Sequence, residues 1–169
     1  MSPDDGTVRD QAARRRTARV LANATEAELT ALWEAWPDQP EIEYVRGPEA
    51  GLVMVQGRTG GTGRRFNLGE ATVSRATVVA RGIRSESVGT AYVLCSHPEH
   101  AGLAAIFEAL LAGDDRERVL TDVIAPLETA QSDRDTRARS DARTTVVDFF
   151  TVARENDGPD YGTDDEDDE

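Results

Sequence analysis

The residues best suited to chemistry lie between positions 58 and 65, where Gly60-Gly61-Thr62-Gly63 is flanked by Arg58, Arg64 and Arg65. Glycines let successive backbone N–H groups converge on an anion, and guanidinium forks match phosphate oxygens. The run is not GxxxxGK[ST], carries no lysine and lacks the strand-to-helix setting of a P-loop. Spacing alone favours a tight connection between two strands over a phosphate cradle, with a partner-docking loop as the third reading. A second cluster, Cys95-x-His97-x-x-His100, holds the only cysteine and both histidines. Zinc takes such ligands, usually four in a structural site. No fourth ligand is in view and Pro98 interrupts the cluster, so no metal is expected. Cys95 is expected to end a strand facing the core, with His97 in the next loop and His100 in the first turn of a helix. Glu70 is a lone carboxylate beyond the glycines. No nucleophile elbow, dinucleotide fingerprint or HExxH pair occurs, so the chain shows no self-contained catalytic set.

The elements around these residues follow from periodicity. Residues 9–22 suit a helix whose Arg14, Arg15, Arg16 and Arg19 form a cationic face, either solvated or docked on an acidic partner. Thr25-x-x-Glu28 is a capping-box pattern. Leu29, Leu32, Trp33 and Trp36 then form one apolar stripe, with both tryptophans as packing residues, and Pro37 and Pro40 end the helix. Short strands are expected over 41–46 and 52–58, separated by a turn at Gly47-Pro48-Glu49-Ala50. A long Val/Thr-rich strand over 71–81 and a fourth over 88–95 complete an antiparallel meander, because links this short forbid parallel pairing. Leu103, Ile106, Phe107, Leu110 and Leu111 mark a helix stopped by Gly113. Val119 to Leu127 form a second stripe, with Pro126 breaking or restarting it. Residues 128–143 read as a polar helix, facing solvent or resting on another subunit. Val146-Val147-Asp148-Phe149-Phe150 is an apolar burst, expected to anchor the C-terminus to the body or to a partner. The expected class is α+β: N-terminal helices, a meander of about four strands, C-terminal helices.

The 169 residues suit one domain, here 1–156, followed by an acidic segment, 157–169, expected to be disordered. That segment carries eight of the 32 carboxylates, so the formal charge of −13 falls to −5 without it. All 19 basic residues are arginine. Acid excess with arginine in place of lysine suggests adaptation to high salt, where a Debye length of about 3 Å at 1 M mutes repulsion between carboxylates. A genome biased towards arginine codons is the other explanation, and both can hold. The acidic balance argues against nucleic acid as the main partner. One cysteine excludes an internal disulfide and fits a reducing compartment. No apolar run approaches the roughly 20 residues of a membrane span. A cytoplasmic protein with no membrane partner is expected.

Several motifs occur together in one order. Gly51-Leu52-Val53 is followed by Gly60–Gly63, Arg65-Phe66, Gly69-Glu70-Ala71-Thr72 and Arg75-Ala76. His100-Ala101, Ile124-Ala125-Pro126-Leu127 and Val147-Asp148-Phe149-Phe150-Thr151 come later. Over roughly residues 14–154 this pattern resembles the PhnG family, the G subunits of the carbon–phosphorus lyase system. The acidic extension and the lysine-free surface depart from it without touching the motifs. The resemblance implies a subunit of α-D-ribose 1-methylphosphonate 5-triphosphate synthase, a transferase, with little activity alone. It would act with the H, I and L subunits to displace adenine from ATP by methylphosphonate, within a core containing H, I and J and served by the ATPase-like L and K. ATP would be co-substrate of the complex, and the chain would carry no cofactor of its own. Gly60, Gly61, Thr62, Gly63, Arg65 and Arg75 would then contact substrate or partner, and Asp148, Phe149 and Phe150 a partner. The alternatives are a salt-adapted interaction module without catalysis and a stand-alone phosphate-ester-binding protein.

Overall fold

In a computed structural model the chain is described over residues 3–82 and 85–143. Helix α1 (Pro3–Asn23) leads through Thr25 into α2 (Glu26–Glu34). The capping box forms as its pattern predicts. The Thr25 hydroxyl accepts from the Glu28 N–H, and the Glu28 carboxylate accepts from the Thr25 N–H. Three antiparallel strands follow in the order β1 (Glu41–Arg58), β2 (Arg65–Arg81) and β3 (Glu86–Leu94). Helix α3 (Pro98–Ala112), short α4 (Arg116–Val119), a π turn (Leu120–Ile124) and α5 (Ala125–Arg143) complete the described chain. The acidic segment 157–169 lies outside the described residues.

Among the described residues the sheet has three strands, because the two expected over 41–46 and 52–58 are one. Gly47-Pro48 does not turn the chain. Pairing passes from Tyr44↔Val78 to Arg46↔Thr77 and then to Glu49↔Arg75, so β1 holds an extra residue at each step. Such bulges bend a strand without ending it. Proline is tolerated there because β1 is an edge strand, and its missing N–H removes no necessary ladder bond.

The described helices stack on one face of the sheet, with α3 against it and α1 and α2 against α3. Alternation sends Ser74, Ala76, Val78 and Ala80 of β2, and Gly89, Ala91 and Val93 of β3, towards α3. Helix α3 is apolar nearly all round because it is covered on both sides. The sheet lies beneath it, and above it α1 contributes Val20 and Leu21 while α2 contributes Leu29. Trp33 and Trp36 both meet Phe107 edge-on, at 6.3 and 6.1 Å between ring centres, so they pack the core as expected. The π turn resolves Pro126: the Ala125 N–H reaches back to the Leu120 carbonyl, and the helix continues as α5. Beyond Arg134, residues 135–142 of α5 are exposed.

Length decides what remains uncovered. Fifteen residues of α3 rise about 22 Å, whereas eighteen residues of β1 run about 60 Å. Pairing with β3 ends at Val73↔Leu94. Past that point β1 and β2 continue as a two-stranded arm with no helix behind it among the described residues.

Candidate functional site

The glycine-rich segment forms the tip of this arm. Thr59–Gly61 is a single 3-10 turn in which Gly60 and Gly61 have φ of 59° and 79°, left-handed values that favour glycine. The Gly63 N–H closes the turn on the Thr59 carbonyl at 2.9 Å. A Cβ on Gly63 would stand 2.6 Å from that carbonyl oxygen. The Arg58 guanidinium donates to the Gly63 carbonyl at 3.2 Å. The turn itself therefore accounts for the three glycines. Arg64 and Arg65 are exposed and have no partner among the described residues.

The arm below the tip is apolar. Val53↔Ala71 and Val55↔Gly69 share the face away from the helices. The next pair is Gln56↔Asn67, which leaves Leu68 as the extra residue of a bulge. Leu68 and Phe66 then crowd Gly57, where an added Cβ would fall 2.5 Å from Leu68 Cδ1. Val53, Val55, Phe66 and Leu68 are all at least 40% exposed. The opposite face carries Leu52 and Met54, also exposed, with Glu70 facing Met54. The helix-free face continues onto the body through Tyr92 and Leu94, again exposed.

Arg75 is not at the tip. It lies ten positions along β2 from Arg65, about 33 Å at strand rise, and meets Glu49 at 2.9 Å. Glu49 also pairs with Arg46, and the arginines, Arg75 foremost, hold its carboxyl below the usual carboxylate range. The predicted set thus divides into a tip (Gly60, Gly61, Thr62, Gly63, Arg65) and an ion-paired group at the arm's base. Arg81, joined to Glu43 and Glu86, adds a second such group on the same face. Asp148, Phe149 and Phe150 lie outside the described residues.

The Cys95–His100 cluster is arranged for folding. Cys95 does not face the core as expected. It is exposed with φ of 77°, because the chain leaves strand alternation just after Leu94. The His97 N–H donates to the Ser74 hydroxyl at 2.7 Å, and that hydroxyl donates to the Cys95 carbonyl at 3.0 Å. His100 lies in the first turn of α3, as expected, and is buried. Its Nε2–H donates to the Leu21 carbonyl at 2.9 Å, tying α3 to α1. Among the described residues no three His, Cys, Asp or Glu side chains are placed to hold a metal ion. Fully buried Ser74, which pins the entry to α3, is a structural residue that the sequence pattern hides, since a serine in a Val/Thr strand gives no signal of its own.

The cationic face of α1 is only partly solvated. Arg16 forms a forked pair with Glu128 of α5. Arg16, Arg19, Arg134 and Arg139 line a groove of about 630 Å³ between these helices, together with Glu128 and Asp135. No helix among the described residues is long and apolar enough to cross a membrane.

The family described as "Phosphonate metabolism protein PhnG" matches residues 12–155. The "Alpha-D-ribose 1-methylphosphonate 5-triphosphate synthase subunit PhnG" of Rhizobium meliloti (strain 1021) is 45% identical over 147 residues, covering 86% of this chain and 92% of the relative. The match takes in the arm, the sheet and the helices packed on it. This chain belongs to the PhnG family of phosphonate metabolism proteins.

Proposed function

We propose that the chain is the G subunit of α-D-ribose 1-methylphosphonate 5-triphosphate synthase. In this reading it is required with the H, I and L subunits when methylphosphonate displaces adenine from ATP and takes up the ribose triphosphate. It sits in a core with H, I and J, served by the ATPase-like L and K, uses ATP as co-substrate of the complex and carries no cofactor of its own. The supporting observation is its similarity to a named synthase subunit over 92% of that relative's length. The side-chain chemistry agrees with a non-catalytic role. Cys95 and His97 lie in the strand-to-helix connection and His100 in the first turn of α3, where His100 and the backbone of the other two hold the fold together. The arm meanwhile displays apolar side chains of the kind a partner covers.

The test is adenine release from ATP and methylphosphonate, followed chromatographically with purified H, I and L and with or without this chain. Release should require the chain, and the chain alone should give none. Full-rate release by H, I and L without it would overturn the proposal.

A further inference from the structure

Resting on that reading, we infer that the arm is the chain's docking element: it enters a cleft on another subunit of the assembly, with apolar walls and carboxylates at its closed end. Three observations carry this. First, the arm is apolar on both faces, with Val53, Val55, Phe66 and Leu68 on one and Leu52 and Met54 on the other. A surface contact covers one face, whereas a cleft covers two. Second, charge is segregated along its length. The arm carries Arg58, Arg64 and Arg65 at its tip and a single carboxylate, Glu70, lower down beside Met54, in a chain of formal charge −13. The charges at the leading end are therefore all cationic, which calls for a complementary anionic end in the receiving cleft. Third, the arginines at the base are already matched, Arg75 and Arg46 with Glu49 and Arg81 with Glu43 and Glu86. The base can be buried without bringing an unpaired charge with it, which is the costly event at an interface.

A second copy of this chain fits the tip less well. In the 630 Å³ groove between α1 and α5, Arg16 and Arg134 are paired with Glu128 and Glu28, which leaves Arg19 and Arg139 against Asp135, so the groove offers the tip no anionic end. In the complex the Gly60–Gly63 turn is thus a rigid end-piece that aims Arg64 and Arg65, not a cradle for free phosphate.

The test is competition. Differently tagged wild-type and variant chains are co-expressed with limiting H, I and J subunits, and the ratio captured on tagged I is measured. Replacing Phe66 and Leu68 together by Asp removes two large apolar contacts and buries two charges, so the variant should be outcompeted about a hundredfold or more. Arg64→Glu with Arg65→Glu should be outcompeted at least about tenfold, the loss shrinking with added salt. Both variants alter exposed residues, so their melting temperatures as isolated chains should match the wild type. Equal capture of the Phe66/Leu68 variant overturns the docking proposal. So does an isolated wild-type dimer that these substitutions dissolve, because the occupant would then be a second copy. Failure of the wild-type chain itself to join H, I and J overturns the functional reading, and the docking proposal with it.

Discussion

Strand β3 and helix α3 approach each other closely at Gly89, which predicts the effect of one methyl group. A Cβ at position 89 would lie 2.0 Å from the Ala105 carbonyl oxygen, 2.3 Å from the Ala109 nitrogen and 2.9 Å from the Ala109 Cα. All three obstacles are backbone, so no side chain can swing aside. Restoring ordinary contact, about 3.4 Å or more, requires the helix to retreat by at least about 1.4 Å. A radial gap half that size already forfeits a quarter or more of the dispersion energy across an interface. Ala101, Ala104 and Ala105 of α3 pack tightly enough for the loss to spread along the helix. Overpacking usually costs about 1–3 kcal/mol. With three backbone clashes Gly89→Ala belongs at or above the upper end, and about 3 kcal/mol corresponds to a melting point lower by roughly 10 °C at this size. Thermal unfolding by circular dichroism at fixed KCl measures it. Gly47→Ala is the control, because nothing lies within 4 Å of a Cβ there, and it should melt close to the wild type. If Gly89→Ala melts within about 2 °C of the wild type, α3 does not sit where the close contact requires.

Glu108 on α3 has a buried carboxylate oxygen with no hydrogen-bond partner among the described residues, and burial pushes its carboxyl up, opposed in part by Arg14. A raised folded-state value means that the protonated form is favoured by the fold below the ordinary carboxylate range and that this stability is lost as pH rises through the raised value. Glu108→Gln should therefore raise the melting point at pH 7 and lose that advantage on acidification. An equal gain at every pH, or a loss at pH 7, would contradict this. Glu28 behaves in the opposite sense: Arg134 and the Thr25 cap hold it low, so its contribution is present at neutral pH and lost as pH falls through the depressed value. Arg134→Ala should consequently destabilise at pH 7 and converge with the wild type in acid, and a difference that persists unchanged in acid would refute the pairing. Thr25→Ala removes one half of the capping box and should cost about 1 kcal/mol, with no measurable change in melting point as the contrary result. Stability of the intact chain should climb as KCl is raised towards about 1 M; full structure at low salt with no gain on addition would remove the case for salt adaptation.

The helices were legible because their signals are local. Thr25 and Glu28 announce the start of α2, and the 3–4 spacing of apolar residues outlines α3 without reference to the rest of the chain. The glycines at 60, 61 and 63 likewise reveal a turn, since their backbone geometry is decided within five residues. What stayed hidden depends on distant partners. Gly47-Pro48 reads as a turn, yet β1 is an edge strand and accommodates both residues in bulges. The run Leu52-Val53-Met54-Val55 reads as part of a strand, as it is, but nothing in it reveals that α3 does not extend over it, so its exposure stayed hidden. The exposure of Cys95 follows from a left-handed residue at the strand exit, which no neighbouring glycine signals. The division of the candidate site into an arm tip and a paired base also needed the register, since Arg65 and Arg75 are near neighbours in the chain and far apart along the strand.

The slenderness of the arm also sets how it can be observed. A two-stranded ribbon that no described helix covers opens by fraying from its tip, independently of the core, so its amides exchange with solvent through local rather than global opening. In the free chain protection should decay steadily from Val73 outwards, while the amides of α3 wait for the whole domain to unfold. Once the ribbon is enclosed, the same amides can open only when the subunits part. The exchange rate across 50–72 therefore becomes an intrinsic readout of occupancy, reporting the fraction of chains in the complex without a label or an enzymatic assay.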